Sequence, residues 1–168
     1  MNIRKKIIRP FALGIINIFL SGNHFFALKS VLLKLSGFEV GDNLRLVGPL
    51  YAGTCIDVSF GDDAWIGRGV SFDGNGSVVI GDRVDVGPKC TFATGGHVIG
   101  DRSRRAGEGE THAVKVGDGT WLSISVTVCG NTRVGSGCVV GAGSVVLKEL
   151  PDNTLCAGIP CVVKKALN

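Results

Sequence analysis

The run VGDGTWLSISVTVCGNTRVGSGCVVGAGSVV (116–146) decides the fold, because an aliphatic residue returns at every sixth position: Val116, Leu122, Val128, Val134, Val140 and Val146. Upstream the same count picks out Ile80, Val86, Phe92 and Val98. A helical period would scatter these residues around its circumference, and simple strand alternation would not follow them with a small one. Here the next residue is usually small, as at Gly81, Gly87, Ala93, Gly117, Ser123, Gly135 and Gly141. Four places after the aliphatic residue stands a second small residue, such as Val84, Cys90, Val126, Cys138 or Ser144. Such a repeat predicts a parallel β-helix, a three-sided prism in which each hexad gives one short strand and one corner. Three hexads make a coil of about 18 residues, stacked at roughly the 4.8 Å inter-strand spacing.

A length of 168 residues allows one domain, and the repeat takes most of it. The 26 glycines and 45% hydrophobic content suit an aliphatic interior with tight corners and argue against disorder. The net charge of +4 is uneven: residues 1–45 hold seven Lys or Arg against two acids. No interleaving of aromatic and basic residues follows on the repeat, which argues against nucleic acid as a partner. The six cysteines lack a CxxC pair and a histidine at ligand spacing, so no metal is expected. Cys90 and Cys138 fall on inward positions, so the thiols are read as reduced and structural, in a cytoplasmic protein.

Residues 1–37 form a separate N-terminal helical segment in this reading. It begins MNIRKKIIRP, then runs apolar over Phe11–Leu20, too short to span a bilayer. Two roles stay open for residues 1–22: an interfacial helix drawn to anionic lipid at the inner membrane face, or a helix packed on the prism or on a neighbouring subunit. His24–Ser36 sets Phe25, Leu28, Val31, Leu32 and Leu35 on one face with Lys29 and Lys34 away from it, predicting an amphipathic helix that caps the prism.

The prism is expected over 38–155 and a tail over 156–168. Two irregularities interrupt it. Two extra residues enter between Phe72 and Ile80, at the turn Asp73-Gly74-Asn75-Gly76, making a ledge on one edge. Between Val98 and Val116, Arg104 and Glu110 stand where aliphatic residues should be. Burying both charges unpaired would cost several kcal/mol, so 100–113 is read as an extruded loop. His97, in Thr94-Gly95-Gly96-His97 at the mouth of this loop, is a candidate general base; the alternative is a polar turn residue.

The hexad run 134–146, followed by LKELPDNT (147–154) and AGIPCVVKK (157–165), resembles the hexapeptide acetyltransferases, closest to those acting on maltose, galactosides and surface polysaccharides. The resemblance covers about residues 40–165. It implies a left-handed β-helix, a homotrimer, and acetyl-coenzyme A bound in clefts between subunits. In that family a Thr-x-His precedes the extruded loop, an Arg follows within it, and a Trp reopens the coil; Thr94, His97, Arg104 and Trp121 match in order. Carried over, His97 is the catalytic base for direct transfer to a saccharide hydroxyl, and the backbone N–H of Ile124 is the oxyanion donor. Trp121, Ser123, Ala142, Ser144 and Lys165 fall at donor-binding positions, with Val162 replacing a family basic residue.

The acceptor wall departs from the small-sugar enzymes, with Gly67-Arg68-Gly69 and Asn75 in place of their polar residues. A different or larger saccharide is expected, free, nucleotide-linked or lipid-linked, contacted by Asp73, Asn75 and Arg104. Trp65 is read as packing, and His112, late in the loop, stays open between touching the acceptor and touching nothing. Serine O-acetyltransfer, N-acylation of an amino sugar, and an idle scaffold are the rival readings. A γ-type carbonic anhydrase would need three zinc histidines, which the repeat lacks.

Overall fold

The computed structural model describes residues 3–168. It is a left-handed parallel β-helix of about six turns behind a short helical segment. The first face stacks Glu39–Val40, Asp57–Phe60, Ser77–Ile80, Ala113–Val116 and Thr132–Val134. The second stacks Arg45–Leu46, Trp65–Ile66, Asp85–Val86, Trp121–Leu122, Val139–Val140 and Thr154–Ala157. The third stacks Leu50–Ala52, Val70–Asp73, Thr91–Ala93, Thr127–Cys129 and Val145–Val146.

Register turns the hexad into columns. Phe60, Ile80, Val116 and Val134 align on the first face, and Ile66, Val86, Leu122, Val140 and Cys156 on the second. Each is buried, so every coil contributes one large apolar group per face to a continuous core. An aromatic spine runs through the early coils: Phe72 stacks on Phe92 at 5.0 Å and 10° between planes, and meets Phe60 edge-on at 5.7 Å. The corner between first and second faces carries a ladder of carboxylates. Asp62, Asp82 and Asp118 each accept the backbone N–H of the aspartate one coil earlier, at 2.7, 2.9 and 3.0 Å.

All phase changes in the repeat fall on one edge, where the third face turns into the first. The ledge expected at 73–76 is there, and the long insertion sits one coil on. That insertion corrects the expected loop of 100–113. Gly95–Ile99 and Ala106–Thr111 form an antiparallel hairpin, so the chain leaves the prism five residues earlier. Val98, counted inward by period, is 49% exposed on this hairpin, and Ala113 has already rejoined the first face. The excluded charges explain why the hexad must break; the antiparallel pairing explains why it breaks before them. At the other end, Val162–Ala166 folds back antiparallel onto Thr154–Ala157, so the supposed tail boundary at 155 lies inside a strand.

The helical segment begins as a π-helical turn, Arg4–Ile8, that continues into α1 (Arg9–Phe19), followed by α2 (Phe26–Leu35). Leu13, Ile16 and Leu33 join the core and close the open end of the first coil, as expected of a cap. The orientation of α2 is the reverse of the expectation: Lys29 and Leu33 are buried, while Phe25, Leu28, Val31 and Leu35 face outward. The cause lies in the prism. The first coil ends in free carbonyls, and Lys29 Nζ donates to those of Leu46 at 2.8 Å and Val47 at 3.2 Å, and to Gly22 at 2.6 Å. Arg9, also fully buried, donates to the carbonyls of Ser36, Gly37, Gly53 and Ile56 and lies 4.2 Å over the Phe38 ring. No described helix is long and apolar enough to cross a membrane.

Candidate active site

The hairpin is anchored where Thr94 leaves the third face. Its side chain is buried, donating to Asp73 O at 3.1 Å and accepting from Gly76 N–H at 3.1 Å, so the ledge and the hairpin base are tied together. Three residues on, His97 is exposed and pairs across the hairpin with Gly109. Its Nδ1 lies 3.0 Å from the carbonyl of Gly107. A carbonyl only accepts, so Nδ1 is the donor in this contact, and in the neutral ring the lone pair then lies on Nε2. The contact orients the ring.

Gly107 was not legible in the sequence as part of the site, because its contribution is a main-chain oxygen. The one hint is the alternation Gly107-Glu108-Gly109 opposite Gly95-Gly96-His97, a glycine-lined ribbon. His112 closes the base. Its backbone N–H donates to Thr94 O at 2.8 Å, and its ring lies beneath Gly96, where a Cβ would come within 2.7 Å of Nε2. Its Nδ1 is buried without a partner among the described residues, and Nε2 lies 4.0 Å from the Glu110 carboxylate. Its ring thus packs against the base of the ribbon.

Asp73 and Asn75 are brought to the same place. Asp73 ends the third-face strand beside Ala93 and accepts a 3.0 Å bond from the Ser71 hydroxyl, and Asn75 sits in the ledge facing Gly95. Arg104 is exposed at the hairpin tip, beyond His97 from the ledge. There the Asp101 carboxyl accepts from Ser103 Oγ and from the N–H groups of Ser103 and Arg104, which hold its pKa below the usual carboxylate range.

The remaining predicted positions lie on a different edge. Trp121 is half exposed on the second face, where it lines a shallow cavity of about 310 Å³ with Trp65, Asp85 and Pro88. Trp65 packs toward Phe26 of α2, at 6.2 Å between ring centroids. Ile124 occupies the corner between the second and third faces. Its neighbours Ser123 and Ser125 donate to Val140 O and Pro88 O, both at 2.9 Å, while the Ile124 N–H donates to no group among the described residues. Ala142 stands at the same corner one coil on. The Ala142 N–H likewise donates to no group among the described residues, and Lys165 is exposed on the strand Val162–Ala166.

Ser144 does not belong with them. It is fully buried, its hydroxyl donates to Gly141 O at 2.6 Å and accepts from Gly158 N–H at 3.1 Å, and its N–H and carbonyl are also used. It pins the last coils and offers nothing to a ligand. No group of three His, Cys, Asp or Glu side chains able to hold a metal occurs among the described residues. All six cysteines are unpaired.

Comparison with known proteins bears on this arrangement. Residues 113–148 match the family described as bacterial transferase hexapeptide (six repeats). The galactoside O-acetyltransferase of Lactococcus lactis is 32% identical over 138 residues, 82% of this chain and 67% of that one. A solved hexapeptide-repeat-containing acetyltransferase of Vibrio cholerae, complexed with acetyl-coenzyme A, superposes with a TM-score of 0.83. It is 26% identical, and the match covers 98% of this chain and 87% of that one. A galactoside acetyltransferase in complex with coenzyme A gives a TM-score of 0.78 at 26% identity, over 98% of this chain and 81% of that one. With the hexads aligned in columns and a relative of this identity matched along two thirds of its own length, the chain belongs to the hexapeptide-repeat acetyltransferases.

Proposed function

We propose that the protein transfers an acetyl group from acetyl-coenzyme A to a saccharide hydroxyl, with His97 as general base. The observation that carries this reading is the 3.0 Å bond from His97 Nδ1 to Gly107 O, which leaves Nε2 basic on an exposed ribbon beside the Asp73–Asn75 ledge. Nε2 takes the proton of the acceptor hydroxyl as its oxygen attacks the thioester carbonyl. The oxyanion so formed meets the Ile124 N–H, and collapse expels the coenzyme A thiolate, which recovers the proton from the imidazolium. Trp121, the Ser123 main chain, Ala142 and Lys165 are the donor contacts in this reading, and Asp73, Asn75 and Arg104 the acceptor contacts.

His97 and Ile124 stand on different edges of the prism, so the site needs a second copy. A neighbour that offers its second-to-third-face corner to this hairpin, and receives the same from the next copy, closes a threefold ring of heterologous contacts. A homotrimer with three shared sites follows. The ledge carries Asp73 and Asn75 rather than a closed polar pocket, which suits an acceptor in surface polysaccharide assembly better than a small free sugar. Thiol release from acetyl-coenzyme A, measured for the wild type and His97→Ala across free, nucleotide-linked and lipid-linked saccharides, tests the reading. Release with no saccharide, or equal turnover by the variant, would defeat it.

A further inference from the structure

From the way α1 and α2 are turned, we infer that the helical cap is a docking surface for an anionic lipid bilayer. Each helix buries one cation among apolar residues and keeps a second apolar face outside. On α1 the side facing the prism holds Arg9, Ala12, Leu13 and Ile16, and on α2 it holds Lys29 and Leu33. The two buried cations spend their donors on seven carbonyl contacts of the prism and the adjoining turns, which fixes the rotation of both helices.

What remains outside is a stripe of large apolar groups. Ile7, Phe11, Ile15 and Ile18 recur at steps of three and four along one side of the first helix, with Phe11 71% and Ile18 73% exposed. Leu28, Val31 and Leu35 do the same on α2. From Arg4 to Phe19 the helix is continuous, a rod of about 24 Å, suited to lie in the interfacial plane rather than to cross it.

Charge selects the occupant. Of the six Lys or Arg in residues 1–38, Arg9 and Lys29 are buried and Lys5 pairs with Asp57, while Lys6 and Lys34 are exposed on helices that carry no Asp or Glu. Two copies of these helices would set Lys6 and Lys34 against like charges with no acid of the helices to pair them, whereas acidic headgroups meet both the lysines and the apolar side chains. The inference does not depend on acetyl transfer.

The test is co-sedimentation of the full chain with phosphatidylcholine vesicles, with and without phosphatidylglycerol. The wild type is expected to pellet with the anionic vesicles roughly tenfold more tightly than with the neutral ones. The triple variant Phe11→Glu, Ile18→Glu, Phe19→Glu should stay in the supernatant, with wild-type unfolding midpoint, oligomer size and thiol release on a soluble acceptor. The inference is overturned if the wild type fails to pellet with anionic vesicles, or if the triple variant pellets equally well. It is also overturned if that variant changes the oligomer size, which would make a second copy the occupant. Binding is read without turnover, so a failed transferase assay would leave this result standing.

Discussion

His97 and Gly107 face each other across a two-stranded ribbon, with Nδ1 of the one 3.0 Å from the carbonyl oxygen of the other. The bond ties the protonation state of a side chain to the shape of a backbone. It makes the hairpin the element that orients the imidazole.

Replacing His97 by Ala should lower acetyl transfer by about 10²–10⁴-fold, the usual worth of a positioned base. The ring is exposed and outside the core, so the unfolding midpoint should not move. Steady-state thiol release alongside thermal denaturation checks both halves.

Two glycines of the same strand separate orientation from folding. A Cβ on Gly107 would sit 2.8 Å from Val98 O, while one on Gly109 meets nothing within 4 Å. Gly107→Ala should displace the carbonyl that holds the ring and reduce kcat about tenfold to a hundredfold, since misplacements of ~1 Å cost on that order. Gly109→Ala should behave as wild type. Equal kinetics for the two variants would remove the carbonyl from the mechanism.

Ile124 can be replaced by the one residue that lacks its N–H. Asp85 and Val86 align with Trp121 and Leu122, so Pro88 occupies the corner equivalent to Ile124, and Lys89 and Ser125 after them share a φ of 59°. The corner therefore accepts proline, and Ile124→Pro should fold while losing about 10²–10³ in rate. Mixing Ile124→Pro with His97→Ala protomers should restore part of the activity if each site draws its base and its oxyanion donor from different chains. Refolded mixtures with no recovery would place both in one chain.

Thiol labelling should follow burial. Burial pushes the Cys90 thiol up to about 11, so at pH 8 it is almost wholly protonated, and it is also enclosed. Cys55 is exposed. Iodoacetamide at pH 8 should modify Cys55 first in the native protein and reach Cys90 only on unfolding, as read by peptide mass mapping.

The aromatic spine sets the stability of the coils beneath the hairpin. Phe92→Ala would remove a fully buried ring stacked on Phe72, at a cost of about 3–5 kcal/mol. Denaturant unfolding measures it; a loss below about 1 kcal/mol would mean the column collapses to fill the space.

The sequence by itself determined the prism, its columns and the coil in which the chain must leave it. Those follow from a short-range rule: a hexad with an apolar residue and a small one can bury its side chains only by coiling, and Arg104 and Glu110 cannot enter that core. It also brought His97, Asp73 and Asn75 to one edge, because counting along a regular coil fixes which corner each residue occupies.

The tertiary structure decided what depends on partners far along the chain. The hairpin starts at Gly95 because its return strand pairs there, and the His97 tautomer rests on a carbonyl that no side chain announces. The helices of the cap turned Arg9 and Lys29 in, and left an apolar stripe of each out, because carbonyls at the end of the prism take up those two cations. A periodic pattern states that a helix has two faces; only the groups it meets decide which one is buried.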